Sequence, residues 1–297
     1  DRMRIETAPS YSGYPVYAVT VSDFSVPVSC KRRHYFAQPH AHEPGATAGM
    51  IDVIHQLLTG LDFEGQPCPL DRERVLRETL LTFNPIGNPW GRERAPVDCW
   101  DGSTVTNDEF WCWMRGEDPD HPGQMWERYD VWDDRSVRAP DPVGIVYEPI
   151  DEHRYVEPNR SRLSSYFRLF EKMDARYGYE CWLDLHQTEF VNAPFTCMAL
   201  LPIAGLTDGE IAEGNRAWGE ALVSAWQEAG YRSRPVPTPL GYRGRQAEYL
   251  RRVWGDLHRR MNIISTEVKN NSPDAPVAFQ RDAQVCAILT SIRRLLG

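Results

Sequence analysis

Gln38-Pro39-His40-Ala41-His42-Glu43-Pro44-Gly45 is the stretch from which the rest of the chain can be read. Before it stand two short apolar runs, Tyr17 to Val21 and Tyr35-Phe36-Ala37. After it, Met50, Ile54, Leu57 and Leu58 recur at helical spacing between Ala48 and Leu58. The pattern predicts a strand end running into a helix N-terminus, where open α/β sheets place their ligands. His40 and Glu43 are spaced i, i+3, so on a turn both side chains can converge on one point. An imidazole nitrogen and a carboxylate oxygen suit Zn2+, and a catalytic zinc takes one more protein ligand while keeping a position open. A His-x-x-Glu pair also arises by chance on surfaces, so the remainder of the site has to come from elsewhere in the chain.

Two later runs supply it. Leu183-Asp184-Leu185-His186 is a short apolar run ending in a histidine. Strand alternation puts Asp184 on the same face as His186, near the metal or behind the histidine as its orienting partner. Ile263-Ile264-Ser265-Thr266-Glu267-Val268 holds a carboxylate among Ile and Val, costly to bury without a partner or a task. Two rival ligands stay open: His42 in place of His40, and Glu189, which makes a second His-x-x-Glu with His186.

In this order the motifs resemble those of the M14 zinc carboxypeptidases, particularly bacterial members with a PHxNEPxG-like first motif. The resemblance runs from Ser12-Gly13-Tyr14-Pro15-Val16 to Glu267. It includes Asn84-Pro85-Ile86-Gly87, similar to the family's NPDG turn with Ile86 in place of the aspartate. It implies a three-layer α/β/α sandwich around a mixed, mostly parallel sheet, with residues 1–297 as a single catalytic domain. It also implies one zinc per chain on His40, Glu43 and His186, and Glu267 as the general base toward a zinc-activated water. The Asp-Leu-His motif also looks like that of the aspartoacylase and succinylglutamate desuccinylase branch. The expected activity is hydrolysis of an amide bond, in a C-terminal peptide bond or a small acylated molecule. N-acyl amino acid deacylation is the alternative reading, and a non-catalytic binding protein on the same fold is the second. Members of the family grip the substrate carboxylate with an Asn-Arg pair downstream of the NPDG turn, which has no clear counterpart on this reading. Arg135 lies in the corresponding region, with Arg138 and Arg128 as rivals. A tyrosine from the loop before the catalytic strand touches substrate in the family, and Tyr242 or Tyr249 would serve.

Elsewhere the signals are local. Residues 14–30 alternate in two runs about Ser22-Asp23, which predicts a hairpin. Residues 88–145 carry Trp90, Trp100, Trp111, Trp113, Trp126 and Trp132 of the ten tryptophans, with little periodicity. A long irregular stretch this aromatic is expected to be ordered, either folded over the active-site mouth or gathered into a small core of its own. Glu157-Pro158 reads as the start of a helix that ends at Tyr177-Gly178. A net charge of -9 argues against sequence-independent nucleic-acid binding. No apolar stretch approaches the ~20 residues of a membrane span. Seven cysteines without CxxC spacing suit a reduced, soluble, cytoplasmic protein. The partner expected is a peptide or small amide substrate, with the oligomeric state left open.

Overall fold

The computed structural model describes residues 1–96, 99–116, 131–135, 143–189 and 192–297. The strands, in chain order, are β1 (Met3–Pro9), β2 (Pro15–Val21), β3 (Arg32–Ala37), β4 (Thr79–Asn84), β5 (Trp132–Asp133), β6 (Glu148–Pro149), β7 (Arg154–Val156), β8 (Cys181–Thr188), β9 (Cys197–Leu201), β10 (Thr238–Pro239) and β11 (Asn262–Lys269). The helices are α1 (Pro44–Thr59), α2 (Arg72–Glu78), α3 (Pro89–Arg94), α4 (Asn107–Arg115), α5 (Ser165–Tyr177), α6 (Gly209–Glu228), α7 (Gly244–His258) and α8 (Val277–Leu296).

One eight-stranded sheet runs in the order β1-β2-β4-β3-β8-β11-β9-β10. Its centre, β4-β3-β8-β11, is parallel, and β1, β2 and β9 join antiparallel. The central strands are buried on both faces, which is why they read as continuous apolar runs in the sequence. Phe36, Leu183 and Ile264 face the layer formed by α1, α2, α6 and α8, packing with Met50, Trp218, Trp226 and Ile288. Their neighbours Tyr35, Trp182 and Ile263 face α5 and α7, packing with Phe167, Phe170 and Trp254. Burying a side chain the size of Phe170 stabilises the fold by roughly 1.5–3 kcal/mol relative to leaving it in water. The result is the expected α/β/α sandwich around a mixed sheet.

Three local expectations give way. The hairpin partner of β2 is β1, paired from Met3↔Val21 to Pro9↔Pro15, and not the residues after Ser22. As the sheet edge, β1 leaves Met3 and Ile5 exposed, so its apolar signal is weak; residues 28–30 form only a 3-10 turn. The helix expected from Glu157-Pro158 is a 3-10 turn, Pro158–Arg160, and α5 begins later, where the Ser164 side chain accepts from Phe167 N. The loop expected around Tyr249 is the helix α7. Among the described residues no helix is long and apolar enough to cross a membrane.

Candidate active site

The parallel strands β3, β8 and β11 end side by side, with Ala37 in register with Asp184 and His186 with Glu267. The chain leaving β3 is pinned beneath by the Asn84–Gly87 turn: Gly87 N donates to Gln38 O at 2.8 Å. A Cβ at Gly87 would lie 2.5 Å from Gln38 O and 2.6 Å from Tyr166 Cδ2, so only glycine fits without moving the motif. Pro44 then starts α1 at its first position, where the missing N–H costs nothing.

His40 Nδ1 lies 2.8 Å from Glu43 Oε1 and 3.3 Å from His186 Nδ1, and His186 Nδ1 lies 3.5 Å from Glu43 Oε2. The outer nitrogens face acceptors: His40 Nε2 is 3.0 Å from Glu157 Oε1 and 3.2 Å from Asn159 Oδ1, and His186 Nε2 is 2.7 Å from Asp184 Oδ2. Asp184 is itself held by the Tyr166 hydroxyl. Those acceptors keep the outer nitrogens protonated, which turns both Nδ1 lone pairs and the Glu43 carboxylate toward one another. In the absence of a metal a proton on an Nδ1 relieves this crowding, and with both Nδ1 atoms unprotonated the same three atoms are a donor set that zinc accepts. His42 Nε2 also comes within 3.6 Å of Glu43 Oε1, and the atoms of His40, His42 and Glu43 could hold a metal ion by themselves.

The electrostatics follow the crowding. Burial opposes charge on His40, but the Glu43 carboxylate and the hydrogen bonds the ring donates to Glu157 and Glu43 raise it to about 9. His186 is raised well above its ordinary value despite burial, through Asp184 and Glu43. Glu43 is held far below the carboxylate range by His40 and His186, again against burial. Glu267 goes the other way: burial pushes it up to about 8, with Glu43 and Glu189 adding to the shift. Its Oε2 is buried without a hydrogen-bond partner.

His40, His42, Glu43, Asp184, His186 and Glu267 border one cavity of about 150 Å³, with Asn159, Arg160, Tyr242 and Glu189 also on its wall. Arg160 is nearly buried; its Nη2 donates to Tyr242 Oη at 2.8 Å, and its Nε stands 3.8 Å from Glu157 Oε1. Arg135 is elsewhere: 63% exposed, its guanidinium bound to Asp133 at 3.0 and 2.8 Å, and not among the cavity residues. Its carboxylate neighbour two residues back takes up the fork that a substrate would need. Arg138 and Arg128 lie outside the described residues. Tyr249 is buried in the α7 core and does not border the cavity, whereas Tyr242 does. The sequence reading missed Asn159-Arg160 although the dipeptide stands in plain view. Assigning Pro158 to a helix start made it unremarkable.

The insertion supplies the opposite wall. Trp100, Phe110, Met114, Trp132 and Val146 gather with Ala41 into a separate cluster, so its aromatics do form a small core. Asn88 closes this excursion, donating to the carbonyls of Ile145, Val146 and Tyr147. From α4, Trp111, Met114 and Arg115 reach the cavity, with the Arg115 guanidinium 3.8 Å over the Trp111 ring. Trp126 lies outside the described residues.

No protein-family model matches the chain, and no curated protein matches its sequence. Solved structures do share its fold. A metallo-carboxypeptidase from Burkholderia cenocepacia superposes with a TM-score of 0.55 at 14% identity, over 99% of this chain and 65% of that one. The carboxypeptidase A from Helicoverpa armigera gives 0.59 at 9% identity, over 99% and 69%. A metallo-carboxypeptidase from Pseudomonas aeruginosa, in complex with (2-guanidinoethylmercapto)succinic acid, gives 0.54 at 13% identity, over 98% and 64%. The chain thus has the metallo-carboxypeptidase fold, and it spans about 65% of the length of the first of these proteins.

Proposed function

We propose that the protein is a zinc-dependent hydrolase that cleaves the amide bond next to a residue with a free carboxylate. The observation that carries the reading is the meeting, in one cavity, of three converging metal donors, an unpartnered buried carboxylate and a buried arginine. His40, Glu43 and His186 would hold one zinc ion, with Glu157, Asn159 and Asp184 orienting the two imidazoles. When bound, zinc would supply a Lewis acid and lower the pKa of water beside it. Glu267, which a cation bound beside it would return to the ionised form, accepts a proton from the attacking water and returns it to the leaving nitrogen. Arg160, with Asn159 and Tyr242, pairs with the substrate carboxylate in the place first sought at Arg135. The chain acts as a single catalytic domain, and the 88–145 insertion walls the site.

An N-acyl amino acid would use the same anchor, because its leaving group also carries a free carboxylate. The experiment is elemental analysis followed by hydrolysis of peptides and N-acyl amino acids of graded length. One zinc per chain and carboxylate-dependent cleavage are expected, with the length series separating the two substrate classes. His186→Ala should lose the metal and His42→Ala should keep it. The reverse result would move the site onto His40, His42 and Glu43. Zinc-loaded protein inactive on every substrate would leave the binding-protein reading.

A further inference from the structure

Behind the metal donors, on the other face of the sheet, lies a buried layer of amides. β3 pairs with β8 only as far as Ala37↔Asp184, so among the described residues the end of β8 that bears His186 keeps β11 alone as a strand neighbour. The chain that left β3 returns to β8 through a side chain instead: Gly45 N, two residues past Glu43, donates to Gln187 Oε1 at 2.7 Å. Gln187 Nε2 donates to Gln280 Oε1 at 2.7 Å, and Gln280 Nε2 donates to Trp100 O at 2.6 Å and Ala275 O at 2.8 Å. One helical turn on, Gln284 Nε2 donates to the carbonyl of His186 itself at 2.8 Å. Its Oε1 accepts at 3.1 Å from the hydroxyl of Thr266, the residue before Glu267.

The layer is specific in its orientation and in its place. Turning any one of the three amides over would set a carbonyl oxygen against a carbonyl oxygen, so each can sit in one sense only. Gln187, Gln280, Gln284 and Thr266 are all buried. Glycine lets α8 come this close to α1: a Cβ at Gly45 would lie 2.9 Å from Gln280 Cβ, and one at Gly49 2.8 Å from Gln284 Cβ. Farther along α8 the inward face turns apolar, with Ala287, Ile288, Ile292 and Leu295 in the core. An amide in such a core is costly unless every polar atom is matched, and the matched groups here are the backbone on either side of the metal donors.

We propose that Gln187, Gln280 and Gln284 are positioning residues for the metal, fixing the distance between the turn that carries His40 and Glu43 and the strand that carries His186. From one stretch of α8, Gln284 holds the strand at His186 O and Gln280 holds the turn through Gln187. Through Trp100 O the same helix fixes the insertion to this frame. The inference rests on the metal set of the hydrolase reading. Without the layer the turn would still offer His40, His42 and Glu43, but nothing would hold the His186 ring 3.3 Å from His40 Nδ1.

The test is zinc affinity by chelator competition. Gln280→Met keeps most of the side chain's bulk and strands Gln187 Nε2 and Trp100 O. It should weaken zinc binding about 10–100-fold, the scale found for groups that orient metal ligands. Gln284→Met, which frees His186 O and the Thr266 hydroxyl, should act alike. Ser291→Ala on the same helix is the control. It removes the acceptor that Trp218 Nε1 meets at 2.9 Å, so it should lower the melting temperature and leave zinc affinity unmoved. The visible absorption of the cobalt(II)-loaded protein should change in both glutamine variants and not in the control. Parental zinc affinity in the folded glutamine variants, an equal loss in Ser291→Ala, or failure of both glutamine variants to fold would overturn the proposal. Turnover separates it from the hydrolase reading. Zinc affinity that falls in the variants of a protein that cleaves nothing sinks the hydrolase and keeps the positioning layer; cleavage with zinc affinity unmoved does the opposite.

Discussion

The floor and the wall of the cavity are built differently. On the floor, His186 and Glu267 project from adjacent central strands, and His40 and Glu43 from the turn leaving a third. The two floor imidazoles are each backed by a buried acceptor, Glu157 and Asn159 for His40 and Asp184 for His186. On the wall, Arg160 comes from a 3-10 turn, Tyr242 from a connection, and Trp111, Met114 and Arg115 from a helix inside an insertion. Arg160 and Tyr242 lean on one another. On the proposed function, the chemistry that tolerates errors of only a few tenths of an ångström would sit on the rigid sheet, and selection on connections that can change without moving it.

The sharpest way to break this division is at Glu267. Glu267→Gln keeps the size and removes the proposed base, so turnover should fall about 10²–10⁴-fold with metal content unchanged, read by kinetics and elemental analysis together. Retained turnover would transfer the base to Glu189, which also borders the cavity. The wall is tested at Arg160. Arg160→Ala should lower kcat/KM about 10²-fold on substrates with a free carboxylate, the scale of losing one side of a buried charge pair. Substrates with an amidated end should feel little further loss, and Arg135→Ala none. Equal losses on both substrates would mean that Arg160 holds the floor in place and does not select. A smaller effect is expected behind the imidazoles: Asp184→Asn and Glu157→Gln should weaken metal binding about 10–100-fold in chelator competition.

The same division decided what the sequence could tell. Strand-borne residues announce themselves, because a histidine or glutamate inside Leu183–His186 or Ile263–Val268 violates an apolar run. His40 and Glu43 were legible from a Pro- and Gly-flanked turn at a strand end. Asn159-Arg160 broke no pattern, since polar residues are ordinary at a helix start, and the error about where α5 begins concealed them. The helix α7 was hidden for a related reason. Its apolar stripe of Leu250, Val253, Trp254 and Leu257 has helical spacing, but the resemblance placed a substrate-touching loop in this stretch and the stripe went unread. Edge strand β1, half exposed, carried too little apolar signal to register. Contacts between the insertion and Ala41 join residues far apart in sequence, and no local pattern encodes them.

Glu148 offers a test of the wall that needs no substrate. Buried beside the N-terminus of α5, its carboxyl accepts from Ser165 N at 2.8 Å and from Ser165 Oγ at 2.6 Å, and so ties the end of the insertion to the helix after Arg160. Burial raises it to about 7, partly offset by the Ser165 hydrogen bonds. Between the ordinary carboxylate value and about 7, the folded protein therefore holds a proton that the unfolded chain has released. Stability from this group is present at low pH and is lost as pH rises through that window, on the order of 3 kcal/mol in all. Glu148→Gln cannot titrate. Urea denaturation across pH should show the variant gaining on the parent as pH rises from about 4.5 to 7, then running parallel to it. Because the floor histidines and Glu267 are common to both proteins, their titration cancels in the difference. A flat difference would mean that Glu148 is ionised in the folded protein at neutral pH, with Arg168 compensating its charge, and that the wall is fastened as firmly as the floor.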